Sequence, residues 1–227
     1  MQETLLQLSI WALPALVAIT LHEAAHGWVA WKLGDDTAYR LGRVTFNPLR
    51  HVDPFGTVVL PLLLLFLSQG RMMFGYAKPV PVAFGRLGHP RRDMVLVAAA
   101  GPGINLAIAT VCALLTHVVG MFPGLVGQWL LLNVQNAIWI NVLLAIFNML
   151  PLPPLDGGRV AVGLLPRSLG RPLARLEPYG MAVLLGMLFL LPFLGSRLGI
   201  DLNLFEWLVV RPSLWLTRAI GTVTGAT

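Results

Sequence analysis

Charge is what this chain has least of. Only 11% of its 227 residues are Asp, Glu, Lys or Arg, against roughly 25% in an ordinary soluble domain, and that deficit excludes a typical soluble fold. Cysteine is nearly absent too: Cys112 stands alone in an apolar run, so no disulfide can staple the fold and cysteine usage is silent on redox compartment. Acids are scarce beside bases, ten against sixteen, for a formal charge of +6. In so apolar a chain this excess reads as membrane orientation rather than as nucleic-acid binding. What fills the sequence is hydrophobic, 56% of residues with a mean hydropathy of +0.75, which excludes disorder. The length suits a single domain, residues 1–227, of four to six membrane segments at about 20 residues each. No repeat, linker or low-complexity segment divides it.

The first apolar run, Thr4 to Leu33, follows a start with Glu3 and no Lys or Arg before Ser9. A signal peptide opens on basic residues, so this run is expected to be a retained helix. Thr57 to Ser68 contains Pro61 and is short for a span, which needs about 17–25 residues. Arg40, Arg43 and Arg50 precede it, and Arg71, Lys78, Arg86, Arg91 and Arg92 follow. Basic flanks on both sides favour a re-entrant segment, while extension through Tyr76 would make it a true span; both readings stay open. Met94 to Gly120, Leu130 to Leu150 and Pro178 to Leu194 are expected to cross. The uncharged stretch up to Trp129 then lies on the non-cytoplasmic side, and Arg159, Arg167, Arg171 and Arg175 mark the cytoplasmic one. The tail, with Glu206, Arg211, Pro212 and Arg218, reads as an interfacial helix. Arg40 to Asn47 and Tyr76 to Phe84 set β-branched residues between Gly and Pro breakers and are expected to pair as a small sheet at the membrane surface. The expected fold is an all-α polytopic membrane protein with a re-entrant segment, that small β-sheet and a C-terminal interfacial helix.

Eight of the ten acids fall in loops, segment ends or the tail: Glu3, Asp35, Asp36, Asp53, Asp93, Glu177, Asp201 and Glu206. Glu23 and Asp156 do not. A charge in the hydrocarbon region costs about 2.5–3.5 kcal/mol even on the lower scales, so such residues mark a pathway, a pair or a metal site. Glu23 lies within His22-Glu23-Ala24-Ala25-His26. At this spacing two imidazoles stand one helical turn apart on one face and can share a zinc ion, with the glutamate in reach of a metal-bound water. The plainer reading is two histidines satisfied at a helix interface. A catalytic zinc takes three protein ligands and an open position. Asp156 is the leading third candidate, being placed by topology at the same depth and side, with Gly157 and Gly158 permitting close backbone approach. His51, His89 and His117 compete weakly.

Three segments together resemble the signatures of the site-2 protease family of intramembrane zinc metalloproteases. They are His22 to His26, Ala100-Gly101-Pro102-Gly103-Ile104-Asn105, and Asn148-Met149-Leu150-Pro151-Leu152-Pro153-Pro154-Leu155-Asp156-Gly157-Gly158-Arg159. Tyr76 to Val82 is similar to the compact bacterial-type branch, which has no PDZ domain. The resemblance implies one zinc per chain on His22, His26 and Asp156, with Glu23 as general base and later as proton donor to the leaving amine. It implies that the Asn148 amide donates to the oxyanion or holds substrate backbone, against the alternative of an interhelical hydrogen bond. Gly101, Pro102, Asn105 and Gly157 fall to structural support. The catalytic core would span about 4–165 and the C-terminal helices 176–222. The implied partners are transmembrane protein substrates and the bilayer, with a regulatory membrane protein or a second copy left open and no nucleic acid. The implied place is a bacterial cell membrane, with the site toward the cytoplasm. The rival reading is a non-catalytic membrane metal-binding protein, a transporter or sensor, which would have no use for a glutamate between the ligands.

Overall fold

The structure, a computed structural model, describes residues 2–67 and 75–226. Helix α1 (Gln2–Lys32) is apolar on nearly every side, as a helix in lipid or a protein core must be. It ends where Gly34 takes a φ of +108° and the Asp35 N–H reaches back to the Ala30 carbonyl at 2.9 Å. A short α2 (Thr37–Arg40) and a 3₁₀ turn at Pro48–Arg50 follow. A π-helical turn at Pro54–Val59, capped by the Asp53 carboxylate, then leads into α3 (Leu60–Leu67). After an extended stretch come α4 (Pro90–Val119) and α5 (Gly124–Asn148). The chain continues through α6 (Asp156–Leu164), α7 (Arg167–Ala174), α8 (Glu177–Leu185), α9 (Leu191–Leu198) and α10 (Arg211–Thr224). A π-helical turn at Gly186–Leu190 joins α8 to α9, and another at Glu206–Val210 opens α10.

Among the described residues, four helical stretches are long and apolar enough to cross a bilayer: Leu6–Lys32, Pro90–Val119, Gly124–Asn148 and Glu177–Leu198. α4 is the central one, packed against α1, α5 and α6. Its contact with α5 is built from Ala109 and Ala113 against Ile138 and Val142, with Leu216 and Ile220 of α10 laid alongside. Alanines at such a seam let two backbones approach closely, which maximises dispersion contact where lipid offers no hydrophobic driving force. Polar ties join α5 to α1: the Asn136 amide donates to the Ile10 carbonyl at 2.8 Å and the Trp129 indole to Ser9 Oγ at 2.9 Å.

The expected β-sheet is not there; among the described residues no strand forms. Arg40 to Asn47 is the end of α2 followed by a turn in which Gly42 has a φ of +64° and the Arg43 N–H closes onto Ala38 O. The stretch 75–83 is extended, but its hydrogen bonds go elsewhere. Pro79 and Pro81 have no N–H to give. The Lys78 N–H donates to His51 O at 2.9 Å, that of Val80 to the Glu23 carboxylate at 2.8 Å and that of Ala83 to the Asp35 carboxylate at 2.6 Å. With these three donors spent on two carboxylates and a loop carbonyl, the segment lies along α1 as a strap rather than in a sheet.

Ser68 and Arg71, at the far side of the short apolar run, lie outside the described residues. The near end and the return are side by side: the Tyr76 N–H donates to Gly56 O at 3.0 Å and the Thr57 hydroxyl to Tyr76 O at 2.9 Å. Two further differences concern ends and burial. α5 starts at Gly124 rather than Leu130, since nothing after Pro123 breaks a helix. Asp35 and Asp93, read as ordinary loop acids, are buried at 0% and 3% exposure, each accepting from backbone N–H groups.

Candidate metal centre

The helical period of α1 places His22 and His26 one turn apart on a buried face. Their Nε2 atoms are 3.1 Å apart. Asp156 Oδ2 closes the triangle at 3.1 Å from His22 Nε2 and 3.3 Å from His26 Nε2. A tetrahedral zinc with bonds of about 2.0–2.1 Å holds its ligand atoms about 3.3–3.4 Å apart, so these donors fit one face of such a site. They form the one group of three potential ligands that meets this way among the described residues.

The ring tautomers follow from the far side of each imidazole. His22 Nδ1 lies 2.5 Å from Asn105 Oδ1 and His26 Nδ1 lies 2.7 Å from Val97 O. Both partners are acceptors, so both rings carry their hydrogen on Nδ1 and turn the Nε2 lone pair toward the common point, the form that ligates a metal. Asp156 opens α6, where the helix dipole favours a carboxylate over a carboxylic acid.

Behind His22 runs a chain of amides. Asn105, fully buried, accepts from His22 and donates to Ala18 O at 3.3 Å and to Asn141 Oδ1 at 2.7 Å. Asn141, at 1% exposure, donates in turn to Ala137 O at 2.8 Å. Gly101 forms a wall of the site: a Cβ there would stand 2.5 Å from His26 Nε2 and 2.6 Å from His22 Nε2. Pro102, the next residue of α4, is buried beside it. Gly157 serves Asp156 in a similar way, since a Cβ at that position would overlap the Met149 carbonyl.

The remaining candidates are distributed as follows. Glu23 Oε2 accepts the Val80 N–H, so the strap holds the carboxylate that lies between the two ligands in sequence. The Asn148 amide donates to Leu144 O of its own helix at 3.0 Å and has no hydrogen bond to the three ligands. His51 packs beside the strap, His89 is exposed at the start of α4, and His117 Nε2 donates to Thr224 O at the far end of α10, at 2.9 Å. None of these three histidines joins the triangle. Asn141, the Val97 carbonyl and the Val80 N–H escaped the sequence reading. An amide in an apolar helix was the available sign for Asn141, because it too must find a partner there.

A polytopic membrane protein with two histidines of one helix and an aspartate of another converging on a point is, in class, a membrane metalloprotein of the zinc metallopeptidase type. Comparison with known proteins agrees. The family model described as peptidase family M50 matches residues 115–191, a window that holds Asn148 and Asp156. The chain is 43% identical over 186 residues to the Bacillus subtilis (strain 168) protein named "Putative zinc metalloprotease YwhC", covering 80% of each. It is 32% identical over 192 residues to the Mycobacterium tuberculosis (strain ATCC 25618 / H37Rv) protein named "Putative zinc metalloprotease Rip2", covering 84% of this chain and 71% of that one. No solved structure matches significantly. The chain belongs to peptidase family M50, the site-2 protease family.

Proposed function

We propose that the protein is an intramembrane zinc endopeptidase that cuts substrate proteins within or near their transmembrane segments. The observation that carries this is the triangle of His22 Nε2, His26 Nε2 and Asp156 Oδ2, at 3.1–3.3 Å, with a glutamate between the two histidines in sequence. Zinc bound there would polarise the scissile carbonyl and acidify the attacking water. Glu23 accepts the water's proton and returns it to the leaving amine. The Val80 N–H steadies the Glu23 carboxylate by a charge-assisted hydrogen bond. Asn148 spends one amide hydrogen on Leu144 O, and its second hydrogen serves the oxyanion. Asn105 and the Val97 carbonyl hold the two rings in the ligating tautomer.

Peptide groups of a transmembrane helix are already hydrogen-bonded internally, so a substrate unwinds locally before its carbonyl can be attacked. The site faces the cytoplasmic side, a reading supported by the basic residues at the same end of α1 as the ligands: Lys32, Arg40, Arg43 and Arg50. Residues 1–227 act as one proteolytic domain on transmembrane protein substrates. Purified wild-type protein and Glu23→Gln, compared for zinc by elemental analysis and for cleavage of a panel of single-span membrane proteins, test the reading. Zinc is expected in both and cleavage in the wild type alone. A zinc-free wild type, or a variant that cleaves equally well, removes it.

A further inference from the structure

Two cavities open where α6 and α7 pack across the first turns of α4. One, of about 310 Å³, has Arg91, Arg167 and Arg171 in its wall over a floor of Phe84, Met94 and Val162. The other, of about 430 Å³, is lined by Arg91 and Arg92 together with Val95, Leu96, Gly163 and Leu164. Arg91 stands between the two and lines both. Helix geometry fixes this arrangement. Arg167, Gly170, Arg171 and Ala174 share one face of α7, and that face lines the first cavity. A Cβ on Gly170 would stand 2.8 Å from the Val162 carbonyl, so the glycine lets α7 lie close on the end of α6. Gly163 does the same between α6 and α4, since a Cβ there would overlap the Val95 side chain. Arg91 is anchored by donating to the Leu165 carbonyl just past the end of α6.

The four arginines have no acids of their own. Among the described residues, arginines pair with carboxylates at Asp36, which takes Arg40 and Arg86, at Glu177, which takes Arg159, and at Glu206, which takes Arg211. None of these pairs involves Arg91, Arg92, Arg167 or Arg171. The neighbouring acids are already engaged: Asp93 is buried and accepts the His89 N–H, and Glu177 is the partner of Arg159. Membrane orientation asks only for basic residues somewhere in a short loop. It does not gather arginines of two separate helices around one apolar floor. The second cavity also has a direction. Its arginines lie at one end, while Val95 and Leu96 lie one turn further along α4, toward the bilayer interior. Leu96 and Leu164 are 43% and 70% exposed, which leaves that end open where lipid would lie. Charge at the surface and an apolar wall one turn deeper follow the order of headgroup and acyl chain in a phospholipid.

We propose that the two cavities form one site for a phospholipid with a net negative headgroup. Arg91, Arg167 and Arg171 donate to its phosphate oxygens, and the start of its acyl chains lies over Val95, Leu96 and Leu164. Free phosphate matches the charge but has no use for the apolar floor. The site is distinct from the metal triangle yet mechanically close to it, because α6 starts at Asp156 and lines both cavities with Val162, Gly163 and Leu164. A lipid that bridges α4 to α6 and α7 braces the helix that supplies Asp156. The inference does not rest on proteolysis, only on the apolar helices lying in a bilayer.

The test titrates detergent-solubilised full-length protein with phosphatidylglycerol or phosphatidylcholine and counts bound lipid by native mass spectrometry. One phosphatidylglycerol should bind per chain, about 25-fold more tightly than phosphatidylcholine, at about fivefold for each of two arginines. Arg167→Gln combined with Arg171→Gln should erase that preference. Ala174→Trp keeps every charge but fills the first cavity, and should weaken phosphatidylglycerol by a similar factor. Arg50→Gln, at an exposed arginine outside both cavities, should leave the preference unchanged. All variants are compared as monodisperse protein, so that loss of binding is not loss of fold. Equal binding of the two lipids, or an Arg50→Gln effect as large as that of the paired change, reduces the cluster to general surface charge and overturns the site. An Ala174→Trp protein with unaltered preference overturns it as well. Displacement of the lipid by excess inorganic phosphate makes the cavity a free-anion site, and displacement by an acidic peptide at lower concentration than the lipid itself makes it a protein-docking site; either overturns the lipid assignment.

Discussion

Along α4 and α5, the apolar side chains of Ala109, Ala113, Ile138 and Val142 form a seam. One turn back along α4, and at the neighbouring position of α5, the same two helices are joined by Asn105 and Asn141, with His22 and Ala18 of α1 drawn into the same set of hydrogen bonds. The seam is held by many small dispersion contacts, none of which is indispensable. The amide chain is held by a few directional bonds, each of which leaves a buried group unpaired if broken. Damage to the first should therefore read out as stability, and damage to the second as metal affinity.

Gly101→Ala should have the largest effect, because the new methyl group would sit 2.5 Å from His26 Nε2 and 2.6 Å from His22 Nε2, the two ligand atoms themselves. The expected outcome is protein that extracts and folds but retains no zinc by elemental analysis and has no detectable cleavage. Zinc at wild-type stoichiometry would show that the wall beside the ligands yields, and the contrast between the two regions would lose its clearest case.

Asn141→Leu comes next. It keeps the volume but removes the Oδ1 acceptor of Asn105, which frees that amide to turn away from His22. Outer partners of metal ligands are typically worth about 10–100-fold in affinity, and a loss of that size is expected in a chelator competition assay. Asn141→Asp retains the acceptor and should recover most of it. A Leu variant that merely melts earlier, with zinc affinity intact, would reassign Asn141 to the seam.

How much of this could be read from the sequence differs by residue for physical reasons. That His22 and His26 stand side by side was legible because their relation is local, fixed by the helix period alone. Asp156 was legible because acids are so scarce in this chain. The apolar runs located the four described helices that are long and apolar enough to cross a bilayer to within a few residues, except at Gly124. The sheet failed on partners rather than on backbone shape. Residues 75–83 are extended as their β-branched and proline pattern implies, but Glu23 and Asp35 take the N–H groups, and no local pattern encodes a contact between residues 57 and 48 positions apart. The Asn141 to Asn105 bond was hidden for the same reason, across 36 positions.

Asp35 extends the comparison to the strap. Its carboxylate accepts from the Thr37 N–H, the Thr37 hydroxyl and the Ala83 N–H, at 3.1, 2.5 and 2.6 Å. Burial alone would raise its pKa, but these bonds outweigh it and hold the carboxyl below the usual carboxylate range. A depressed folded-state pKa means the stabilisation is fully present above the unfolded value and is lost as pH falls through the folded one. Asp35→Ala should cost about 2–3 kcal/mol, the scale of hydrogen bonds to a charged group, and should remove the part of acid destabilisation that begins below the ordinary carboxylate pKa. Matching acid-unfolding profiles for the two proteins would show that the strap is not anchored there.

Val142 offers the smallest and most diagnostic change, because it follows Asn141 directly and is equally buried, at 0% exposure against 1%. Consecutive helical residues point about 100° apart, so one side chain enters the amide chain while the other enters the seam with Ala109 and Ala113. Val142→Ala deletes two methyl groups and should cost about 1–2 kcal/mol of stability, less if α4 and α5 close the gap. Zinc affinity and the pH dependence of cleavage should not move. If they do, the seam and the metal centre are a single mechanical unit, and the helix pair transmits strain from its apolar contacts into the ligand geometry.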